Sequence, residues 1–308
     1  MSTQRPSSPA SRRSRRTSAR RRPNNGSGLS WKLTVAALLL VAVFFAVRAY
    51  RSSRSADSTA AVSRENAMTT SAGVHHYPDL EIAGYTDPSE AAGKHRKDYE
   101  GFTLSFNRSN GTPDWVGWEL LGSETEGDVQ RKNNFWADRD VPGSPTPDDY
   151  RNSGYDKGHL CPAADQKWSD RAMTDCFVMT NMTPQTHALN GGAWNTLEGK
   201  ERIWAKRDSA LIIVAGPIYA ETDTERIGKS GVRVPSAFFK VLLAPYVKEP
   251  RAIGFVYPNM AAPGNMQNYA MSVDEVEELT GLDFFSTLPD DLEQRIESRT
   301  SFTEWNRR

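Results

Sequence analysis

Residues 155–202 read YDKGHLCPAADQKWSDRAMTDCFVMTNMTPQTHALNGGAWNTLEGKER. His159 follows Gly158 and precedes a Pro-containing loop, which sets it at a strand end or a turn. Asp156, three residues earlier, has the reach to orient an imidazole, a contact the sequence leaves open. A lone histidine is more often structural than catalytic. Further on, residues from about 189 to 207 read as a helix. Asn190, Trp194, Glu198 and Arg202 recur every four residues, so they form one ridge along it. Such a ridge has a plain reading, a solvated face with an i,i+4 ion pair. It also sets a hard oxygen ligand, a carboxylate and a guanidinium in line, the parts that hold hydrated Mg²⁺ and a phosphodiester.

Outward from this window, residues 103–106, 115–121, 177–180, 210–214, 238–243 and 253–256 read as strands. They are rich in β-branched and aromatic residues and are punctuated by Gly, Pro and Asn. A second helix opens at Ser272 with the capping box Ser272-x-x-Glu275 and stops near Gly281. Strands in runs with helices set between them predict an α+β fold with a mainly antiparallel sheet flanked by helices. No internal repeat is visible.

The 308 residues balance 38 Lys+Arg against 38 Asp+Glu, but the charge is segregated. Residues 1–32 carry eight Arg and Lys32 with no acid, and Arg48, Arg51 and Arg54 add three charges. From residue 55 onward 26 basic residues face 38 acidic ones, so the body lacks the basic pI of an ordinary nucleic-acid binder. Residues 1–30 are predicted to be a disordered Arg/Ser-rich arm. Residues 33–47, LTVAALLLVAVFFAV, are uncharged, and with flanking Trp31, Ala49 and Tyr50 the apolar segment 31–50 is long enough to span a bilayer as a transmembrane helix. A buried core helix and a cleaved signal peptide are the rival readings. Residues 51–76 form a Ser/Thr/Ala stalk, and 77–308 the folded body. The charge asymmetry across the span puts the N-terminus in the cytoplasm and the body outside.

Three motifs follow in order: Asp156-Lys157-Gly158-His159, Thr180-Asn181-Met182-Thr183-Pro184-Gln185, and Leu189-Asn190-Gly191-Gly192-Ala193-Trp194-Asn195-Thr196-Leu197-Glu198. Together they resemble the signature of the DNA/RNA non-specific endonucleases, the endonuclease G-like ββα-metal (His-Me finger) nucleases. The resemblance continues through Asn134-Phe135-Trp136-Ala137-Asp138, Val214-Ala215-Gly216-Pro217, Val234-Pro235, Phe239-Lys240-Val241 and Pro258-Asn259, covering roughly residues 80–290.

The resemblance implies roles residue by residue. His159 is the general base that activates water, and Asn190 the only direct protein ligand of Mg²⁺, for which Mn²⁺ can substitute. Glu198 orders the metal-bound waters, while Arg202 and Asn181 help place the phosphate and frame the site. The products are 5′-phosphate and 3′-hydroxyl ends, the substrates both DNA and RNA, and the family suggests a homodimer. The sequence departs from the family at two places. The signature arginine is Lys157 here, and a basic residue expected three positions before Phe135 falls on Lys132, with Arg131 next door. Lysine keeps the charge but loses the bidentate fork. These replacements keep an alternative open, a catalytically weakened relative that binds nucleic acid or a partner.

A groove formed by Arg131, Lys132, Arg151, Lys157, Lys167, Arg202, Lys206 and Arg207 would reconcile the acidic body with an anionic substrate. The expected location is the bacterial inner membrane, single-pass, with the lipid bilayer contacted through residues 31–50. The alternative is the mitochondrial inner membrane or intermembrane space, since an acid-free Arg/Ser arm also describes a presequence. Cys161 and Cys176 flank the motif loop and read equally as a disulfide or as two buried thiols.

Overall fold

The computed structural model describes residues 81–307. The arm, the 31–50 span, the stalk and the first residues of the body lie outside the described residues. Thirteen strands follow in chain order: β1 (Ala83–Tyr85), β2 (Lys94–Asp98), β3 (Thr103–Asn107), β4 (Thr112–Leu121), β5 (Asp156–His159), β6 (Met182–Gln185), β7 (Ala210–Ile218), β8 (Arg226–Ile227), β9 (Val232–Arg233), β10 (Ala237–Ala244), β11 (Arg251–Pro258), β12 (Ala270–Met271) and β13 (Leu282–Phe284). The helices are α1 (Asp170–Asp175), α2 (Asn195–Asp208), α3 (Val273–Thr280), α4 (Asp290–Glu297) and α5 (Phe302–Trp305). Among the described residues no helix is long and apolar enough to cross a membrane.

Seven strands form one antiparallel sheet in the order β12-β11-β10-β7-β4-β3-β2. Its centre, β7 and β10, is almost wholly buried, because both faces are covered and apolar residues suit both. Successive side chains of β10 go to opposite faces. Phe238 packs on Trp194, which leads into α2, at 5.6 Å, whereas Phe239 packs on Phe284 of β13 at 5.6 Å. One core therefore gathers Trp118, Ile213, Leu242 and Phe255 with Trp194, Leu197 and Trp204 on the α2 side. The other face carries α3. There Gly254 has no room for a side chain, since a Cβ would lie 2.5 Å from Val276 Cγ2.

Strands expected at 103–106, 115–121, 210–214, 238–243 and 253–256 are present and slightly longer. The 177–180 segment is not a strand. It makes one parallel bridge, Trp136 to Val178, then a tight turn over Met179–Asn181 into β6. A short apolar run buried on all sides looks alike in strand or connector. The capping box Ser272–Glu275 is formed, and Gly281 closes α3 in the left-handed conformation (φ 69°).

The continuous helix expected over 189–207 is divided. Leu189–Trp194 form a wide π turn in which Gly192 leaves helical geometry (φ −105°, ψ −110°), and the regular helix starts at Asn195. Asn190 thus lies on the wide turn rather than on an unbroken four-residue ridge. Wide turns of this kind occur often at functional sites.

Candidate active site

β5 and β6 form a short antiparallel hairpin with His159 opposite Met182, and the chain then enters the π turn and α2. The hairpin lacks room on one face, since a Cβ at Gly158 would come within 2.3 Å of the Gln185 side chain. Asn259, at the end of β11, fixes the entry to the helix. Its amide donates to the Pro184 and Pro235 carbonyls and accepts from Thr186 N–H, while Thr186 O accepts from Asn190 N–H at 3.0 Å.

Lys157 and His159 alternate with Asp156 and Gly158, so they share one face of β5. The His159 ring packs edge-on against Phe177 at 5.0 Å and lies 5.6 Å from Phe135. Its Nε2 is buried with no hydrogen-bond partner. Burial, with the positive charge of Arg131 nearby, pushes the imidazole down to about 3, so it is neutral at physiological pH. The Lys157 ammonium sits over Phe135 at 4.9 Å and the Arg131 guanidinium over Phe177 at 5.1 Å. The same two rings that pack on the histidine therefore also carry the two cations.

Asp156 does not orient His159. Its Oδ2 accepts from Asn190 Nδ2 at 2.9 Å and lies 2.9 Å from Nδ1 of exposed His187. The first contact fixes the Asn190 amide so that its oxygen faces away from Asp156.

The ridge on α2 is not a solvated face. Trp194 is buried, and Glu198 is nearly so. Burial, with Glu201 and Asp165 close by, raises Glu198 to about 7 even though Lys240 opposes the shift. Glu198 makes no hydrogen bond among the described residues, and Lys240 Nζ is 4.0 Å away. Lys240 is fully buried, pairs with buried Glu201 at 2.9 Å, and sits over the Trp194 ring at 4.6 Å and the Trp118 ring at 5.7 Å. Arg202 turns to buried Asp165 at 2.9 Å, whose other oxygen accepts from Trp118 Nε1. Part of the guanidinium is thus committed to the protein rather than to phosphate.

Two further expectations change. Asn181 is fully buried and touches no open surface. Its amide donates to the Cys161 and Cys176 carbonyls and accepts from Cys161 N–H, stapling the loop after His159 to the segment before β6. It frames the site and has no donor left for phosphate. Lys132 points to α1, pairing with Asp170 at 2.9 Å and donating to Thr174 Oγ1; Arg131 is the neighbour on the histidine side. Cys161 and Cys176 are buried free thiols.

The basic groove shrinks as well. Arg151 pairs with Asp148, Lys206 with Glu126 and Arg207 with Asp208. Arg131, Lys157 and Lys167 have no ion pair among the described residues. Sequence reading missed Asp165, Glu201 and Lys240; the one signal was a lysine inside the apolar run Phe238–Leu243.

A neutral histidine on one strand of a hairpin, an oriented amide on the turn that follows and a carboxylate raised by burial on the next helix are together groups that can support hydrolysis. The model of the DNA/RNA non-specific endonucleases matches residues 83–291. A nuclease of Nostoc sp. is 35% identical over 211 residues, 64% of this chain and 76% of that protein. Human mitochondrial endonuclease G is 32% identical, over 66% of this chain and 73% of that protein. Mitochondrial nuclease EXOG of Xenopus laevis is 33% identical, but the chain spans only 60% of its length. A crystal structure of an EndoG/EndoGI complex superposes with a TM-score of 0.60 at 29% identity, covering 63% of this chain and 87% of that one. The chain belongs to the DNA/RNA non-specific endonuclease family, a family of divalent-cation-dependent nucleases, and is a nucleic-acid-hydrolysing enzyme.

Proposed function

We propose that the chain is a membrane-anchored, Mg²⁺-dependent endonuclease that cuts DNA and RNA without sugar preference, with His159 as the general base. The observation that carries this reading is the Asp156–Asn190 hydrogen bond at 2.9 Å. It ties the strand that bears the base to the helix that bears the candidate ligand. The donors suit Mg²⁺: one amide oxygen held outward and one carboxylate without a hydrogen bond offer hard oxygens to a cation that keeps most of its waters. When bound, such a cation neutralises charge developing on the phosphate and the leaving oxygen.

Asn190 presents its Oδ1, and Glu198 accepts hydrogen bonds from water and fixes its orientation. His159 takes the proton from the attacking water. A base near pKa 3 is weak, and burial is the larger cause, with the Arg131 charge second. A phosphodiester lying against Arg131 offsets that second cause, so substrate binding returns part of the basicity. Phosphate contacts dominate in this arrangement and carry little sequence information, so base preference is weak. Products with 5′-phosphate and 3′-hydroxyl ends follow from the family likeness.

The test is cleavage of supercoiled plasmid and of RNA by the full chain, with and without EDTA. Cutting of both that stops on chelation supports the reading. Binding without cutting under Mg²⁺ would instead favour a catalytically weakened relative.

A further inference from the structure

We infer that the carboxylates of Asp274, Glu277 and Glu297 form a second divalent-cation site, of calcium type, clipping α3 to α4. Each offers one oxygen, and these oxygens lie within 4.8 Å of one another. Asp274 and Glu277 stand one turn apart on α3, and Glu297 is the last residue of α4. The cluster is distinct from the hydrolytic site, because α3 packs on the sheet face opposite α2.

A group of acids is common on protein surfaces, but this one has a buried and unfinished member. Glu297 is only 4% exposed, and its Oε1 has no hydrogen-bond partner. Burying a carboxylate oxygen with nothing to meet it is costly, and a cation is the natural compensation. Glu277 is held in place, its Oε1 accepting from Phe284 N–H of β13 at 2.8 Å. Its second oxygen remains for a ligand. Glu277 and Glu297 have no ion pair among the described residues. The charged groups that act on Glu297 are four more acids, Glu277, Glu293, Asp274 and Asp283.

Calcium fits better than magnesium. Three carboxylates in an all-protein cage suit Ca²⁺, whose opposite ligands at 2.3–2.6 Å from the ion stand about 4.6–5.2 Å apart. Magnesium favours one or two carboxylates and keeps its waters.

The experiment is thermal unfolding of the EDTA-stripped full chain, with and without about 1 mM Ca²⁺. Four proteins are compared: wild type, Glu297→Gln, Asp274→Asn and Asn190→Ala. A site of sensor-range affinity raises Tm by about 5–10 °C for a domain of this size. Wild type and Asn190→Ala should show the shift, and Glu297→Gln and Asp274→Asn should lose it. Asp274 is exposed, so its variant decides the matter should Glu297→Gln fail to fold. No calcium shift in wild type would overturn the site, pointing to carboxylates that share a proton. A shift kept in both acid variants, or lost only in Asn190→Ala, would overturn it equally.

Discussion

His159 sits against Phe177 and beside Phe135, and that setting keeps its imidazole uncharged at physiological pH in the free enzyme. The acid limb of the activity profile therefore belongs to another group. Glu198, raised to about 7 by burial, must ionise to order water, so activity should climb through about pH 7. Cation and proton compete for the same neighbourhood, so more Mg²⁺ should move the limb to lower pH. A limb midpoint that ignores Mg²⁺ concentration would contradict this assignment. The same carboxylate has a stability consequence. Its folded-state pKa lies above the unfolded 4.5, so its stabilising contribution is intact below about pH 4.5 and is lost as pH rises through about 7. Glu198→Gln removes that loss, so its melting temperature should exceed wild type by several degrees at pH 8 and by little at pH 4.5, while activity falls. Equal Tm differences at both pH values would show that burial does not act on this group. The three motifs were legible because each is local in sequence. Asp156 was legible as an orienting residue but not as the partner of Asn190, because that contact spans 34 residues.

At the scale of elements, α2 and β10 are joined by an ion pair inside the core. Five of the seven sheet strands, β3, β4, β7, β10 and β11, were readable from their β-branched and aromatic runs, and α3 from its cap and terminal glycine, whereas the edge strands β2 and β12 were not. The break at Gly192 was not, because Leu189-Asn190-Gly191-Gly192-Ala193-Trp194 keeps a helix-like spacing whether the turn is regular or wide. Lys240 was equally opaque. Alternation puts it on the same face of β10 as Phe238 and Leu242, and only the fold shows that it is fully buried there against Glu201 and two tryptophans. Lys240→Met leaves Glu201 buried without its partner, and breaking a buried pair this way costs about 3–5 kcal/mol. Urea unfolding of the full chain should show that loss, and Lys240→Met with Glu201→Gln should recover most of it. A single variant as stable as wild type would mean the pair contributes nothing net. Activity should drop in both variants, since Lys240 also stands 4.0 Å from Glu198.

Across the whole molecule, an acidic body follows a strongly basic arm, and the described part belongs to a family of nucleic-acid hydrolases. The proposed topology, with 1–30 in the cytoplasm and the body outside the bacterial inner membrane, rests on the charge asymmetry around residues 31–50. Protease added to intact spheroplasts expressing the full chain should remove the body and spare the arm; a fully protected body would reverse the orientation. The substrate surface has fewer free cations than the sequence offers, because Arg202 and Arg207 pair with the buried acids Asp165 and Asp208 and Lys206 pairs with Glu126 at the surface. In the proposed mechanism the phosphate contacts rest on Arg131 and Lys157, which sit over the Phe177 and Phe135 rings beside the histidine. The central claim is that this histidine takes the proton from water. Its most direct measurement is the cleavage rate of supercoiled plasmid with Mg²⁺ by wild type and by His159→Ala, purified identically as full chains. Loss of the base should slow cutting by about 10²–10⁴-fold with plasmid affinity little changed; equal rates would show that His159 is not the base.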